Sequence, residues 1–333
     1  MKRYQKFFQP AKQLIKHKSL IFFLVIGLVF FSCKESVQTS SFTFSGMGTV
    51  LNVIYTGEKK EDVEKMLKKD AKQVENDFSY YKKGSFVSLL NDKGASEDVS
   101  VPHHVCELIE SSLNYGKDTE GVFDITYKSR GILWDEGREP DEEQINKKRE
   151  LTGHGLVKTD CTKNIVRFAK DGVRIDLGGI AKGYAIDRAG EILKKNGIQD
   201  FIINYGGDML VCGKKGKKPW KVGIKNPEEC AGFFKTLDFG EGSCTGVATS
   251  GDYERFFIID DKKYSHIFDP RTGRPSVDAR SVTVVAKNAL IADVAATAVS
   301  VAIHEEALIK KIMEKFKVKI YTLSGPDMKW VEH

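Results

Sequence analysis

Two nucleotide-binding signatures are missing from this chain. It has no G-x-x-x-x-G-K-[ST], which excludes a P-loop, and no G-x-G-x-x-G after a strand, which excludes the dinucleotide fingerprint. Its six cysteines form no C-x-x-C and keep no spacing to histidine that suits zinc. No repeat and no low-complexity linker divides the 333 residues. The long apolar run, residues 20–31, falls short of the roughly 20 residues a membrane span needs. Excess charge is also lacking once the leader is set apart. Residues 1–32 hold six Lys or Arg and no acidic group, and the rest balances 46 basic against 46 acidic. The net +6 is a targeting feature, and no nucleic-acid partner is expected.

Lys2, Arg3, Lys6, Lys12, Lys16 and Lys18 precede the apolar run, and Ser32 and Cys33 follow it. This is the pattern of a secretory signal ending at a lipoprotein cysteine, although Phe30 and Phe31 depart from the usual Leu-small-small-Cys box. The expected organisation is a lipoprotein signal over 1–32, a polar tether over 33–41 and one large domain over 42–333. The chain is expected to be exported and anchored to a bacterial membrane through a lipid on Cys33, on the periplasmic side. The other cysteines, Cys106, Cys161, Cys212, Cys230 and Cys244, are odd in number, so they cannot all pair within one mature chain.

Apolar periodicity predicts strand over 42–56, helices over 60–77 and 105–115, and an aromatic loop over 80–91. A charged stretch at 128–149 ends in a short exposed helix. Strands at 165–168 and 173–177 precede a helix over 181–195 and a strand at 200–205. Further strands are expected at 220–224, 233–239, 247–250, 255–259 and 281–285, then an apolar helix over 288–304 and a closing strand at 319–323. Strands and helices mix without regular βαβ alternation, so the expected class is α+β, an irregular mixed α/β fold.

Residues 174–187 carry the sharpest chemical signal. Val173, Ile175 and Leu177 run into Gly178 and Gly179, and a helix opens with Ala181, Lys182 and Gly183. A glycine turn, bare N–H groups at a helix start and a lysine together cradle an anionic group. Asp176 adds a carboxylate, which a phosphate site accommodates when a metal sits between. The plain alternative is a tight turn whose glycines permit close packing.

Asp293 and Thr297 stand four apart on an otherwise apolar helix, which puts two hard oxygen ligands suited to Mg2+ on one face. Alternatively, Asp293 caps that helix and Thr297 bonds back to a carbonyl. His266 ends a strand just before a turn at 269–273, where a neutral imidazole could take a proton from an attacking hydroxyl. A bond to the turn is the alternative there. Smaller features are the strand end at 249–252, the pair Tyr80 and Tyr81, and the glycine turn at 204–208.

Taken in order, several segments resemble the FAD:protein FMN transferases, the ApbE family. They are residues 46–49, 79–81 with Ser85 and Asn91, 121–126, 176–187, 204–208, 220–224 with Pro227, 248–253, 266–273 and 292–297. The resemblance covers nearly the whole chain after the leader and implies an ApbE-like flavin-transferase domain. It implies a Mg2+-dependent transfer of FMN from FAD, the substrate, to a Ser or Thr hydroxyl of an acceptor protein, with release of AMP. The metal ligands so implied are Asp293, Thr297 and the backbone carbonyl of Gly179, where the family often carries alanine. The implied FAD contacts are Met47, Tyr81, Val122, Phe123, Asp124, Asp176, Lys182 and Ile267, with Tyr81 or its neighbour facing the isoalloxazine. His266 is the residue tied to proton transfer. The implied acceptors are flavoprotein subunits of the Na+-translocating NADH:quinone oxidoreductase or Rnf type. Two other activities use the same residues: a Mg2+-dependent FAD pyrophosphatase, and a flavin-binding lipoprotein without turnover.

Overall fold

Eight antiparallel strands build the central sheet. Their order is Thr39–Gly46, Thr49–Thr56, Phe201–Tyr205, Asp208–Cys212, Thr245–Ser250, Ala279–Ala286, Lys319–Ser324 and Lys329–Glu332. The computed structural model describes residues 37–333 except 132, 135–137, 227–231, 241, 243, 252–255 and 326. Residues 1–36, where a signal and Cys33 were expected, therefore lie outside the described residues, as do Pro227, Cys230, Asp252 and Tyr253. Leu51, Val53 and Tyr55 alternate into the core, as the two-residue period of a strand dictates.

The Ala289–Val301 helix is apolar almost all round and correspondingly buried. It packs on the Thr245–Ser250 and Ala279–Ala286 strands and against the Ala181–Lys195 helix, which in turn meets the Glu61–Phe78 helix. Gly183 makes that helix contact close. A Cβ there would lie 2.5 Å from the Ala289 carbonyl oxygen and 2.6 Å from Leu290 Cα. Glu61–Phe78 turns Val63, Leu67, Ala71, Val74 and Phe78 inward at helical spacing. A smaller sheet, in the order Val99–Ser100, Ile165–Phe168 and Val157–Asp160, lies beside the His103–Asp118 helix. Val37–His333 packs as one compact unit of mixed α and β structure.

Two expectations are corrected. Residues 80–91 are not all loop: Phe86–Lys93 is a helix, capped by the Ser85 hydroxyl, which accepts from Ser88 N–H at 3.0 Å. Residues 173–177 form no strand and join no sheet. Their polar backbone groups are satisfied by side chains and a loop instead. Asn91 accepts from Ile175 N–H at 2.7 Å and donates to its carbonyl at 3.0 Å, as a neighbouring strand would. Ser129 does the same for Arg174, and Asp176 N–H reaches the Ile125 carbonyl at 2.8 Å.

Sequence periodicity also overlooked the Asp208–Cys212 and Lys329–Glu332 strands and the amphipathic Glu306–Phe316 helix. Disulfides join Cys106 to Cys161 and Cys212 to Cys244. Among the described residues no helix is long and apolar enough to cross a membrane.

Candidate active site

The turn after Asp176 is built by its own carboxylate. One oxygen accepts from Gly178 N–H at 2.8 Å, and the other accepts from the Tyr127 hydroxyl at 3.0 Å. The chain then enters the Ala181–Lys195 helix with no side-chain cap from its own segment. The cap comes from the neighbouring helix, where Asp293 Oδ2 accepts from Gly183 N–H at 3.0 Å. The favour is returned: Asp187 accepts from Ala289 and Leu290 N–H at 2.9 and 3.0 Å. Asn288 caps the Ala289–Val301 helix itself, so Asp293 is not that helix's cap.

Asp293 is only 3% exposed. Burial pushes its carboxyl up to about 7, Lys182 opposes the shift, and the negative charge of Asp208 adds to it. Among the described residues its other oxygen makes no hydrogen bond. One turn on, Thr297 is half-buried and its hydroxyl likewise makes no hydrogen bond among the described residues. Ser300 on the same helix shows the contrast, donating back to the Ala296 carbonyl at 2.8 Å. Thr297 faces the glycine turn instead. A Cβ on Gly179 would sit 3.1 Å from Thr297 Oγ1 and 3.3 Å from Phe123 Cε2. One uncommitted carboxylate oxygen, one uncommitted hydroxyl and an adjoining turn make a sparse all-oxygen donor set. That fits Mg2+, which keeps several waters and completes its shell with substrate phosphates. No larger cluster competes: among the described residues no three His, Cys, Asp or Glu side chains gather as a metal site.

Lys182 is ion-paired with Asp208, whose side chain is 2% exposed. Asp208 also accepts from Thr249 N–H at 3.1 Å, and the Thr249 and Thr283 hydroxyls share a 3.0 Å bond. The glycine turn at 204–208 and the strand end at 249–250 thus converge on the lysine of the cradle.

The remaining residues of the sequence-based site spread around this centre. Val122 is buried, and Phe123 faces Gly179. Asp124 is buried too: it accepts from Thr126 N–H at 2.8 Å and from its hydroxyl at 2.6 Å, while burial raises its pKa. Met47 occupies the turn between the first two strands at φ 52° and donates from N–H to Glu75 at 3.4 Å. Tyr81 is 83% exposed and packs edge-on to Tyr80. Ile267 is buried, with its N–H on Ser265 Oγ at 3.1 Å and its carbonyl accepting from Ser276 N–H at 2.7 Å. His266 is exposed.

Sequence reasoning missed what holds the His266 loop. Arg130, 3% exposed, donates to the carbonyls of Pro270, Arg271 and Thr272 at 3.1, 3.0 and 2.6 Å. Trp134 Nε1 donates to the Gly273 carbonyl at 3.0 Å. Phe268 stacks on Tyr127, the residue that bonds Asp176, so the loop and the cradle share one contact chain. Nothing local marks Arg130 among the basic residues of its segment; its burial is a tertiary fact.

A family model described as the ApbE family matches residues 47–320. A FAD:protein FMN transferase of Vibrio cholerae is 28% identical over 295 residues, covering 84% of this chain and 86% of that one. A protein of the same name from Escherichia coli is 29% identical over 279 residues, covering 81% and 77%. Among solved structures, an ApbE protein from Thermotoga maritima superimposes with a TM-score of 0.79 at 31% identity, covering 89% of this chain and 97% of that one.

Proposed function

The chain belongs to the ApbE family, and on that footing we propose that it transfers the FMN part of FAD to a Ser or Thr hydroxyl of an acceptor protein and releases AMP. The observation that carries this reading is the convergence of Asp293, Thr297, Gly179 and the Lys182–Asp208 pair on one turn. Relatives named FAD:protein FMN transferases support flavin transfer as the activity.

Asp293, Thr297 and the Gly179 carbonyl would hold Mg2+, which supplies positive charge against the pyrophosphate. Lys182 brings a second cation to the same phosphates, and Asp208 fixes where its ammonium points. Asp176 keeps the glycine turn in shape through Gly178. His266, on the loop that Arg130 holds, accepts the proton of the attacking hydroxyl. The bond that forms joins the hydroxyl oxygen to the phosphorus of the FMN half. The bond that breaks is the bridge to AMP. Such a transfer is governed by positioning and charge.

The acceptors in this reading are subunits of the Na+-translocating NADH:quinone oxidoreductase or Rnf type. The protein works outside the cytoplasm, anchored through Cys33, and the Cys106–Cys161 and Cys212–Cys244 disulfides support an oxidising compartment. Replacement of Cys33 by Ala should move it from the membrane fraction to the soluble one. The central test incubates the detergent-solubilised full chain with FAD, Mg2+ and such a subunit. An acceptor heavier by one FMN, with matching AMP, is expected, and Asp293→Ala should abolish both. AMP and free FMN beside an unmodified acceptor would replace this reading with the pyrophosphatase.

A further inference from the structure

The Phe256–Ile259 and Lys262–Ser265 strands form a two-stranded hairpin around a turn at Asp260 and Asp261, both at positive φ. In a two-residue hairpin the pair flanking the turn, here Ile259 and Lys262, is the hydrogen-bonded one. Alternation then turns the N–H and C=O of Lys263 and Ser265 away from the partner strand. Among the described residues nothing pairs with that outer edge.

The edge borders a cavity of about 600 Å³ that Arg274, Val277, Trp134 and Tyr264 also line. Val277 is 65% exposed. Ser265 lines the groove, and the next residue is His266. Lys262 and Lys263 stand exposed on its wall with no carboxylate partner among the described residues.

We propose that this groove docks the acceptor protein. An extended segment carrying the target Ser or Thr pairs as an added strand with Lys263 and Ser265, and so delivers its hydroxyl to His266. Main-chain hydrogen bonds give such strand addition its affinity, and the four residues Lys262–Ser265 offer an edge of about 13 Å at roughly 3.3 Å per residue. Lys262, Lys263, Arg274 and Arg280 outnumber Glu139 and Asp278 in the lining, an excess of positive charge that suits acidic side chains flanking the hydroxyl. The proposal rests on the transferase reading above and names the surface its second substrate uses.

The test compares full-length chains with Lys263→Pro and Lys263→Ala, using the acceptor subunit named above. Proline removes the outward N–H and is tolerated on an edge strand, whereas alanine keeps it. Lys263→Pro should raise the acceptor KM at least tenfold, Lys263→Ala no more than about threefold, and FAD binding by flavin fluorescence should stay unchanged in both. A parallel measurement on the unsubstituted chain follows hydrogen exchange at the Lys263 and Ser265 amides, which should become protected when acceptor is added. An unaltered acceptor KM in Lys263→Pro, or no added protection, overturns the docking mode while leaving flavin transfer intact. Protection that rises with the chain's own concentration, without acceptor, assigns the edge to a second copy and also overturns it. An acceptor left unmodified by the unsubstituted chain refutes the transferase reading itself, and the docking proposal falls with it.

Discussion

Replacing Arg130 by alanine should separate flavin binding from flavin transfer. The guanidinium donates three hydrogen bonds to the carbonyls of the turn that follows His266. A bond from a charged donor is worth about 1.5–3 kcal/mol net. The turn's outer residues are exposed, so water can replace part of what is lost, and removing the buried cation relieves its own desolvation. A cost of about 2–3 kcal/mol remains, which in urea denaturation at about 1–3 kcal/mol per molar lowers the midpoint by roughly 1 M. The larger effect should be catalytic. A histidine displaced by about 1 Å can cost on the order of a hundredfold in rate. Asp293, Thr297 and Lys182 lie outside this loop, and of the implied FAD contacts it carries only Ile267, so FAD affinity should fall far less than the transfer rate. The assay pairs single-turnover FMN transfer with a fluorescence titration of FAD. Arg130→Ala with unchanged transfer rate and unchanged urea midpoint would refute the claim that this side chain sets the loop. Loss of FAD binding in step with transfer would show that the loop and cradle are one unit.

Two further predictions rest on the helix pair beneath the cradle. Asp293→Asn keeps the acceptor for Gly183 N–H but removes a buried charge. The folded carboxyl titrates at about 7 against an ordinary 3.8, so the folded chain holds the proton more tightly. Its metal-free stability should fall as pH rises between those values and level off above. The gap sets a ceiling of about 4 kcal/mol, and coupling to Lys182 makes about 1–2 kcal/mol the working expectation. In EDTA, denaturation at pH 8 should find the Asn variant more stable than the parent, with the difference shrinking toward pH 5 and transfer activity lost throughout; equal stability at every pH would contradict the charge-burial argument. Gly183→Ala should destabilise by about 3 kcal/mol or more, because the new methyl meets backbone atoms of Ala289 and Leu290 rather than flexible side chains. A thermal midpoint within 2 °C of the parent, by the usual scaling of stability to midpoint, would mean that the two helices can part at little cost.

Local chemistry made much of this protein legible. The helix over 181–195 was readable to its ends because glycine, alanine and apolar spacing act within a few residues. The shared face of Asp293 and Thr297 follows from helical period alone. The segment at 173–177 misled for the same reason: its apolar alternation is that of a strand, but its partners are Asn91, Ser129 and Ile125 rather than a ladder. Periodicity reports which face is buried, not what satisfies the backbone.

The charge of residues 1–32, the two oxygen-bearing side chains on one helical face and the glycine turn with its lysine were therefore fixed within short stretches of sequence. The tertiary structure decided what those groups meet. Lys182 finds Asp208 across 26 residues, Asn91 finds Ile175 across 84, and Arg130 finds the Pro270 carbonyl across 140. Residue type and spacing set local geometry because they act through neighbouring dihedrals and side-chain periods. Contacts at such separations depend on sheet order and helix packing, which the whole chain settles together.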